Sequence, residues 1–407
     1  MPSIEPVVIQ SSFGDDPPTA TLHYGQDCRE SLRRLPDQSV HTVCTSPPYW
    51  GLRDYGNDPS VWGGDKDCDH EWGMEAFIQG SSQTQGSTSQ RQGRSNTEAQ
   101  IARGMSNGQW CQKCGSWLGQ LGLEPSPYDF VSHLVEIFSE VKRVLRDDGT
   151  LWLNLGDSYA NPGIQSSALS STGGFTGERV RAGKKGTMNS VLRAIPEGIK
   201  YKDLVGIPWM VAFALRANGW YLRADIIWAK SNPMPESVTD RPTKAHEYVF
   251  LLTKSEKYYY DAEAIKESST TGDTRRPYMS QGAKMLDNRD PTQWKGGQER
   301  DNADPATRNK RSVWRVNTKP YRGAHFATWP EDLVEPMVLA GCPKGGTVLD
   351  PFSGSATTGK VANAHGRNYV GLDANANYLD MATARLRSLP APQGTQHDSD
   401  SILDMFG

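Results

Sequence analysis

The stretch that decides the fold is "TVLDPFSGSATTGKVANAHGRNYVGLD", residues 347–373. An apolar run ends at Asp350, a turn with Gly354 and small residues leads into a predicted helix, and a second apolar run ends at Asp373. A turn of this kind lets backbone and a helix N-terminus approach a ligand closely. The acid about twenty residues later can accept both hydroxyls of a ribose. The stretch predicts parallel strands and a site for a nucleoside-containing cofactor.

The same alternation of strands and helices extends toward the N-terminus. "TATLHYG" (19–25) and "VHTVC" (40–44) are predicted strands, and a helix is predicted from the capping residue Ser126 to Gly149. "TLWLNLG" (150–156), "YLRADIIWAK" (221–230) and "HEYVFLLTK" (246–254) are further predicted strands. We therefore expect an α/β fold with a doubly wound, mainly parallel sheet covered by helices on both faces.

Composition limits the classes of function. The 407 residues carry a formal net charge of −3, which excludes global electrostatic attraction to a polyanion. Any contact with nucleic acid must therefore come from locally concentrated Lys and Arg. No stretch approaches twenty apolar residues, and the N-terminus lacks a secretion signal, so we expect a cytoplasmic protein without a membrane partner.

Three polar segments interrupt the pattern and are predicted insertions: 79–109, 161–190 and 266–315. The second and third are basic, and the third also carries tryptophans, which suits DNA binding as well as the alternative of solvated loops without function. The DNA-binding candidates are Arg179, Arg181, Lys184, Lys185, Arg275, Arg276, Trp294, Arg308 and Arg311.

The six cysteines fall into two groups. Cys28, Cys44 and Cys342 stand alone in apolar or strand-like surroundings and are predicted to be small buried side chains. "CDHEW" and "WCQKCGSW" instead place thiols and an imidazole in two close pairs, which is typical of a structural zinc knuckle. The predicted ligands are Cys68, His70, Cys111 and Cys114; the alternative is a coincidence of surface residues.

"TSPPYW", residues 45–50, follows the predicted strand 40–44 at its carboxyl end, where parallel sheets bind ligands. The prolines fix the carbonyls of Ser46 and Pro47 as hydrogen-bond acceptors, and Tyr49 offers a face for stacking a planar ring. This arrangement suits an exocyclic amino group on a base. The alternative is a Pro-rich turn that packs an aromatic ring onto the core.

Together these motifs resemble the amino-group DNA methyltransferases that use S-adenosylmethionine, in the circularly permuted beta class whose catalytic half precedes the cofactor half. "HEYVFLLTKSEKYYYD" (246–261) and "HFATWPEDLVEPMVLAG" (325–341) also fit this order. The resemblance implies a seven-stranded Rossmann-like methyltransferase sheet. It implies the catalytic residues Ser46, Pro47, Pro48 and Tyr49, and the cofactor-binding residues Asp27, Asp350, Phe352, Gly354, Ser355 and Asp373. Ala356 departs from the glycine that the family often has there.

The resemblance also suggests the target. A serine at the head of the tetrapeptide is associated with the N4 amino group of cytosine, and an acidic residue with N6 of adenine. We therefore expect N4-cytosine methylation of double-stranded DNA, with N6-adenine as the alternative. A dinucleotide oxidoreductase lacks support because no GxGxxG turn follows the strand. A noncatalytic zinc-dependent nucleic-acid-binding protein is a more distant alternative.

The predicted organisation places the catalytic half at 1–66 and 123–265, and the insertion with the zinc knuckle at 67–122. A target-recognition insertion at 266–318 and the cofactor half at 319–389 follow, and residues 390–407 are predicted to be a disordered tail. No nuclease motif is present, so a cognate restriction nuclease would be a separate protein. "SILDMFG" (401–407) could dock onto a clamp-type partner, although a frayed terminus is the favoured interpretation.

Overall fold

Strands and helices alternate along the chain, as the sequence predicts. The computed structural model describes residues 5–10, 17–52, 54–73, 108–160, 198–268, 307–318 and 329–388. The strands are β1 (Val7–Gln10), β2 (Thr19–Tyr24), β3 (Val40–Thr45), β4 (Ser60–Trp62), β5 (Trp72–Gly73), β6 (Gln109–Cys111), β7 (Trp117–Gly119), β8 (Leu145–Leu155), β9 (Tyr221–Ala229), β10 (His246–Thr253), β11 (Glu267–Ser268), β12 (Thr307–Arg308), β13 (Val313–Arg315), β14 (Thr347–Asp350) and β15 (Asn368–Asp373). The helices are α1 (Cys28–Arg34), α2 (Pro127–Val144), α3 (Ile207–Ala217), α4 (Glu331–Gly341), α5 (Thr357–Ala364) and α6 (Leu379–Arg387).

Within the described residues, the main sheet has nine strands in the order β1-β2-β15-β14-β3-β8-β10-β9-β13. The five strands from β2 to β8 in this order are mutually parallel. β10 runs antiparallel to both β8 and β9, and β13 is parallel to β9. β2 and β3 come from the N-terminal part of the chain, and β14 and β15 come from its C-terminal part. In the sheet, β15 and β14 lie between β2 and β3.

The count of nine corrects the predicted seven. β1 pairs antiparallel with β2 along one edge, and β13 pairs with β9 along the other. Both strands are only three or four residues long, so their patterns are too short to identify as strands from the sequence.

Helices cover both faces of the sheet. α1, α2 and α3 pack on one face through side chains such as Leu32, Phe138 and Val211. α4, α5 and α6 pack on the other through side chains such as Met337 and Val361. Successive strand residues face opposite sides, so a strand buried on both faces needs a continuous apolar run, which is the pattern the sequence shows.

Local signals explain the ends of the elements that bear on the site. Ser126 caps α2 by accepting a hydrogen bond from the backbone N–H of Tyr128, and Pro127 occupies the first turn.

The three isolated cysteines Cys28, Cys44 and Cys342 are buried, as predicted.

Two smaller sheets accompany the main one. β4, β7, β6 and β5 form an antiparallel four-stranded sheet in that order, and β11 pairs with β12. β4 begins before the predicted insertion 67–122 and pairs with β7 inside it. Within the described ranges, none of the helices combines the length and the apolar character that crossing a bilayer requires.

Candidate active site

The parallel strands bring distant segments together at one edge of the sheet. Because β2, β15, β14, β3 and β8 point the same way, the loops after their carboxyl ends meet there. Thr45 and Asp350, which are 305 positions apart in the sequence, are joined there by a hydrogen bond of 2.6 Å.

A cleft of about 1060 Å³, including its solvent-open mouth, lies at this edge. The predicted site residues that line it are Asp27, Ser46, Pro48, Phe352, Gly354, Ser355 and Asp373. Pro47, Tyr49 and Asp350 are not among the described residues that line it. The turn at 45–50 and the loop after β14 thus share one cavity.

The loop after β14 is held against the end of β15. Gly354 has a φ of +50°, and a β-carbon there would meet no atom within 4 Å. Its N–H donates to Asp373 Oδ2 at 2.7 Å, and the N–H of Asn375 donates to Oδ1 at 2.8 Å. Desolvation raises the pKa of the Asp373 carboxyl to about 6. This carboxylate lines the cleft in a fixed orientation.

Asp350 supports the loop from behind. Thr45 and Thr358 donate hydroxyl hydrogen bonds to its two carboxylate oxygens at 2.6 and 2.7 Å, and the N–H of Phe352 donates to Oδ1 at 3.1 Å. Burial raises the pKa of Asp350 to about 6. With its oxygens so occupied, Asp350 can act on a cofactor by positioning the loop.

The departure at Ala356 leaves the cleft clear. Ala356 adopts the left-handed backbone region with φ +57° and is fully buried, packed in the core on the α4–α6 face. Its methyl group therefore points away from the cleft, whereas Ser355 lines it. Arg385 fixes Ser355 by donating to its Oγ at 2.7 Å.

Asp27 caps α1 and is paired with Arg29. It accepts from the backbone N–H of Arg29 at 2.8 Å, and its Oδ2 lies 2.7 Å from the guanidinium. Burial alone would raise the pKa of Asp27, but the hydrogen bonds and charge of Arg29 hold it below its usual value. Asp27 therefore presents an ionised carboxylate at the cleft.

Two side chains contact the hydroxyl of Tyr49, and the backbone at Gly156 packs against its ring. The hydroxyl lies 2.7 Å from Glu247 Oε2 and 2.9 Å from Asn154 Oδ1, so it donates its proton to one of the two. Burial and the Glu247 carboxylate raise the pKa of Tyr49 well above its ordinary value. A β-carbon at Gly156 would lie 2.4 Å from the ring, so only glycine fits there. Lys230 forms an ion pair with Glu247.

The serine hydroxyl of the turn also contacts this network: Ser46 Oγ donates to Asn154 Oδ1 at 3.2 Å. Within the part of the chain that the structure describes, no hydrogen bond reaches the carbonyl of Ser46 or Pro47. Ser46 lines the cleft, whereas Pro47 is buried and is not among the described lining residues.

Sequence reasoning did not select Asn154, Glu247 or Lys230 as site residues. Asn154 is a polar residue in the otherwise apolar run at the end of β8. Glu247 is the second residue of β10, before the apolar part of that strand. A buried polar side chain in such a strand is a usable signal. Tyr55, Asn57 and Asp58 line the cleft without any pattern that marks them.

The cleft is acidic. Asp27, Asp58 and Asp373 line it, and no Lys or Arg is among its described lining residues. Such a lining favours a cationic ligand over an anionic pyrophosphate. This distribution of charge argues against a dinucleotide cofactor.

The four predicted metal ligands meet in the small sheet. The ligand atoms of Cys68, His70, Cys111 and Cys114 all lie within 4.8 Å of one another. The sulfurs of Cys68 and Cys111 are 3.8 Å apart, and the sulfur of Cys114 is 3.4 Å from Nδ1 of His70. Two thiolates on one tetrahedral zinc, each about 2.3 Å from the ion, lie about 3.8 Å apart. The spacing therefore fits a zinc ion.

Most DNA-binding candidates lie outside the described residues: Arg179, Arg181, Lys184, Lys185, Arg275, Arg276 and Trp294, as does the tail 390–407. Arg308 and Arg311 are described, and both donate to Glu267 Oε1, at 2.9 and 2.5 Å. Arg308 is the last residue of β12 and Arg311 follows it closely, and neither is among the described residues that line the cleft.

Comparison with known proteins shows the family to which the chain belongs. The family model N6_N4_Mtase, described as DNA methylase, matches residues 40–384. The Type II methyltransferase M.Cfr9I of Citrobacter freundii is 41% identical over 90% of this chain and 88% of its own length. M.SmaI of Serratia marcescens is 38% identical over 88% of each chain. The solved PvuII DNA methyltransferase (cytosine-N4-specific) aligns over 92% of this chain and 87% of its own with 14% identity and a TM-score of 0.49. The chain belongs to the N6/N4 DNA methylase family and is an S-adenosylmethionine-dependent DNA amino-methyltransferase.

Proposed function

We propose that the chain transfers a methyl group to N4 of a flipped cytosine in double-stranded DNA. The observation that carries the proposal is the shared cleft, in which Ser46 and Pro48 of the catalytic turn face Gly354 and Asp373 of the cofactor loop. The choice of cytosine rests on Ser46 at the head of the tetrapeptide, where an acidic residue would favour adenine N6.

The cleft fits S-adenosylmethionine. Its acidic lining suits the positive sulfonium and amino groups, and the clear space at Gly354 leaves room for close approach of the ligand. By resemblance, Asp373 would accept the ribose hydroxyls, Asp27 would contact the adenine, and Phe352 would belong to the loop that binds the cofactor. When bound, the cofactor supplies an electrophilic methyl group.

The catalytic turn would prepare the amine. The carbonyls of Ser46 and Pro47 accept its hydrogens and favour a more pyramidal nitrogen, which exposes the lone pair. The amine becomes strongly acidic as it gains the methyl group, so its proton can leave to solvent without a strong base. Because the target nitrogen lies inside a duplex, the base must be flipped out, and Tyr49 would replace the stacking that is lost.

The contacts of Tyr49 support this role. The hydroxyl is fixed by Glu247 and Asn154, so the ring has one orientation before a base arrives. Ring orientation fixed in advance lowers the entropy lost when the base binds.

We also propose that the cluster of Cys68, His70, Cys111 and Cys114 holds a structural zinc ion, because four protein ligands leave no open position for catalysis. The order of catalytic turn before cofactor loop is that of the permuted class. Since the substrate is DNA, we place the activity in the cytoplasm of a bacterial or phage-infected cell. The predictions of a cognate restriction nuclease and of a clamp-type partner stay predictions.

The test is to incubate purified protein with S-adenosylmethionine and unmethylated DNA, digest the DNA to nucleosides and separate them by mass spectrometry. N4-methylcytosine is the expected product. N6-methyladenine without N4-methylcytosine would refute the choice of base. Binding of DNA without any methylated nucleoside would instead favour the noncatalytic alternative.

A further inference from the structure

The small sheet forms part of the wall of the cleft, although most of it lies in the insertion. Ser60 and Trp62 of β4 line the cleft, and Gln120 and Leu121 line it directly after β7. The Gln120 side chain accepts a hydrogen bond from the N–H of Asn57, a further lining residue, at 3.3 Å. The β4–β7 ladder therefore holds two segments of the wall together.

Trp62 connects this sheet to the acidic side of the cleft. The Arg29 guanidinium lies 3.7 Å from the centre of the Trp62 ring and donates to the Val61 carbonyl at 3.0 Å. The same guanidinium orients Asp27. A shift of β4 would thus remove two of the contacts that hold the Arg29 guanidinium beside Asp27, while its ion pair with Glu136 would remain. The position of the Asp27 carboxylate would then be less firmly fixed.

Ser116 connects the metal cluster to the same strand. Its hydroxyl lies 2.9 Å from the Cys114 sulfur and donates to the carbonyl of Gly63, next to Trp62, at 3.1 Å. At Gly64 the packing is so close that a β-carbon would lie 2.0 Å from the Ser116 hydroxyl. The loop that leaves β4 therefore rests on the metal-binding turn.

The sheet needs such a cross-link. Its strands are two or three residues long, and ladders of this length are not stable by themselves. Two ligands come from the segment that follows β4, and two come from the β6–β7 hairpin. One ion would therefore tie the two segments that form the wall.

Loss of the ion would loosen the wall without unfolding the core. On its inner side the sheet packs by stacking Trp62 and Trp117 on the His133 ring, at 4.6 and 5.7 Å between centroids. His133 lies on α2 and pairs with the buried Glu124. These contacts do not involve the metal ligands, so we expect them to keep the sheet on α2 without the ion, while the position of β4 becomes less firmly fixed.

We propose that zinc bound by Cys68, His70, Cys111 and Cys114 sets the affinity of the cleft for S-adenosylmethionine by fixing the β4–β7 wall. This coupling rests on the proposed cofactor site and the proposed zinc ion. The metal has no contact with the reacting groups, and its effect acts through the wall.

The first experiment compares the protein as purified, with its metal content measured, and the same protein after removal of zinc by a chelator. Metal analysis is expected to show stoichiometric zinc in the protein as purified. Calorimetric titration with S-adenosylmethionine is expected to give a dissociation constant that rises about tenfold when zinc is removed. Zinc, but not magnesium, is expected to restore the affinity. Far-UV circular dichroism checks that the helices persist.

The outcomes separate the two proposals. If the zinc-loaded protein does not bind S-adenosylmethionine, the proposed cofactor site is wrong. If it binds and the zinc-free protein binds equally well, the coupling is wrong. Absence of stoichiometric zinc in protein prepared without chelator would also overturn the coupling.

A reciprocal measurement needs no variant and no unfolding control. Linkage requires S-adenosylmethionine to raise zinc affinity by the same factor, so saturating cofactor is expected to lower the equilibrium constant for zinc transfer to a competing chelator about tenfold. Cys114→Ser is expected to reproduce the zinc-free affinity, while Asp67→Asn, an exposed change next to a ligand, is expected to behave as the unaltered chain. Zinc retention that ignores the cofactor would contradict the proposal.

Discussion

The hydroxyl of Tyr49 is held by Glu247 and Asn154. Whether its ring stacks on a base can be tested by replacing the side chain. Replacement by alanine is expected to lower turnover by about 10- to 100-fold, because stacking on one aromatic ring stabilises a base by about 1–3 kcal/mol. The affinity for S-adenosylmethionine is expected to change little, since Tyr49 is not among the described residues that line the cleft. Steady-state methylation kinetics and calorimetry measure the two effects.

Two variants sharpen this prediction. Tyr49→Phe keeps the ring but loses the hydroxyl contacts with Glu247 and Asn154, so a smaller loss of turnover is expected. Tyr128→Ala removes a ring that is 55% exposed on α2 and serves as the control. Equal losses of turnover and cofactor affinity in Tyr49→Ala would mean that Tyr49 only supports the fold.

The raised pKa of Asp373, about 6, predicts how cofactor binding depends on pH. As the pH falls through about 6, the carboxylate gains a proton, and the cleft loses a negative charge and an acceptor. Affinity for S-adenosylmethionine is therefore expected to be constant above pH 7 and to fall below pH 6. Asp27 stays ionised in this range because its pKa is lowered.

Asp350 also has a pKa of about 6, so a variant must separate the two groups. Asp373→Asn is expected to bind the cofactor weakly and with little dependence on pH between 5 and 8. A pH dependence that persists in this variant would assign the effect to Asp350 and the loop behind the cleft.

At the scale of elements, the hydrogen bond from Thr45 to Asp350 joins the end of β3 to the end of β14, where the loop begins. Thr45→Val removes the hydroxyl that donates to Asp350 and is expected to lower the free energy of unfolding by about 1.5–3 kcal/mol. It is also expected to weaken cofactor binding, because the catalytic turn and the loop lose their direct link. Thermal unfolding and calorimetry measure the two effects.

Thr42→Val is the matched control on the same strand. Thr42 is buried and bonded to Thr150, away from the loop, so its loss is expected to lower stability without changing cofactor affinity. If both variants weaken binding in proportion to lost stability, the Thr45–Asp350 contact has no specific part in shaping the cleft.

The elements that could be predicted carry a long local pattern. The strand, glycine turn, helix and acid of 347–373 and the turn at 45–50 are contiguous motifs, so the sequence locates them directly. Glu247 and Asn154 join the site because β10 pairs antiparallel with β8, and a pairing between strands is not encoded in either strand alone. The wall formed by Ser60 and Trp62 likewise depends on how the small sheet docks.

At the scale of the whole molecule, the parallel order of β2, β15, β14, β3 and β8 brings both halves of the chain to one edge. The sequence predicted that the turn at 45–50 and the loop after β14 lie close together, because loops that follow parallel strands share one edge of the sheet. The contacts that recognise DNA could not be predicted to the same depth, because most of the basic candidates fall outside the described residues.

Hydrogen–deuterium exchange with and without S-adenosylmethionine tests the shared cleft most directly. Peptides from 45–62 and from 351–381 both supply lining residues, so exchange is expected to slow in both when the cofactor binds. Peptides from α3 serve as the internal control, because no residue of this helix is among the described residues that line the cleft. Protection confined to 351–381, with exchange in 45–62 unchanged, would contradict the account.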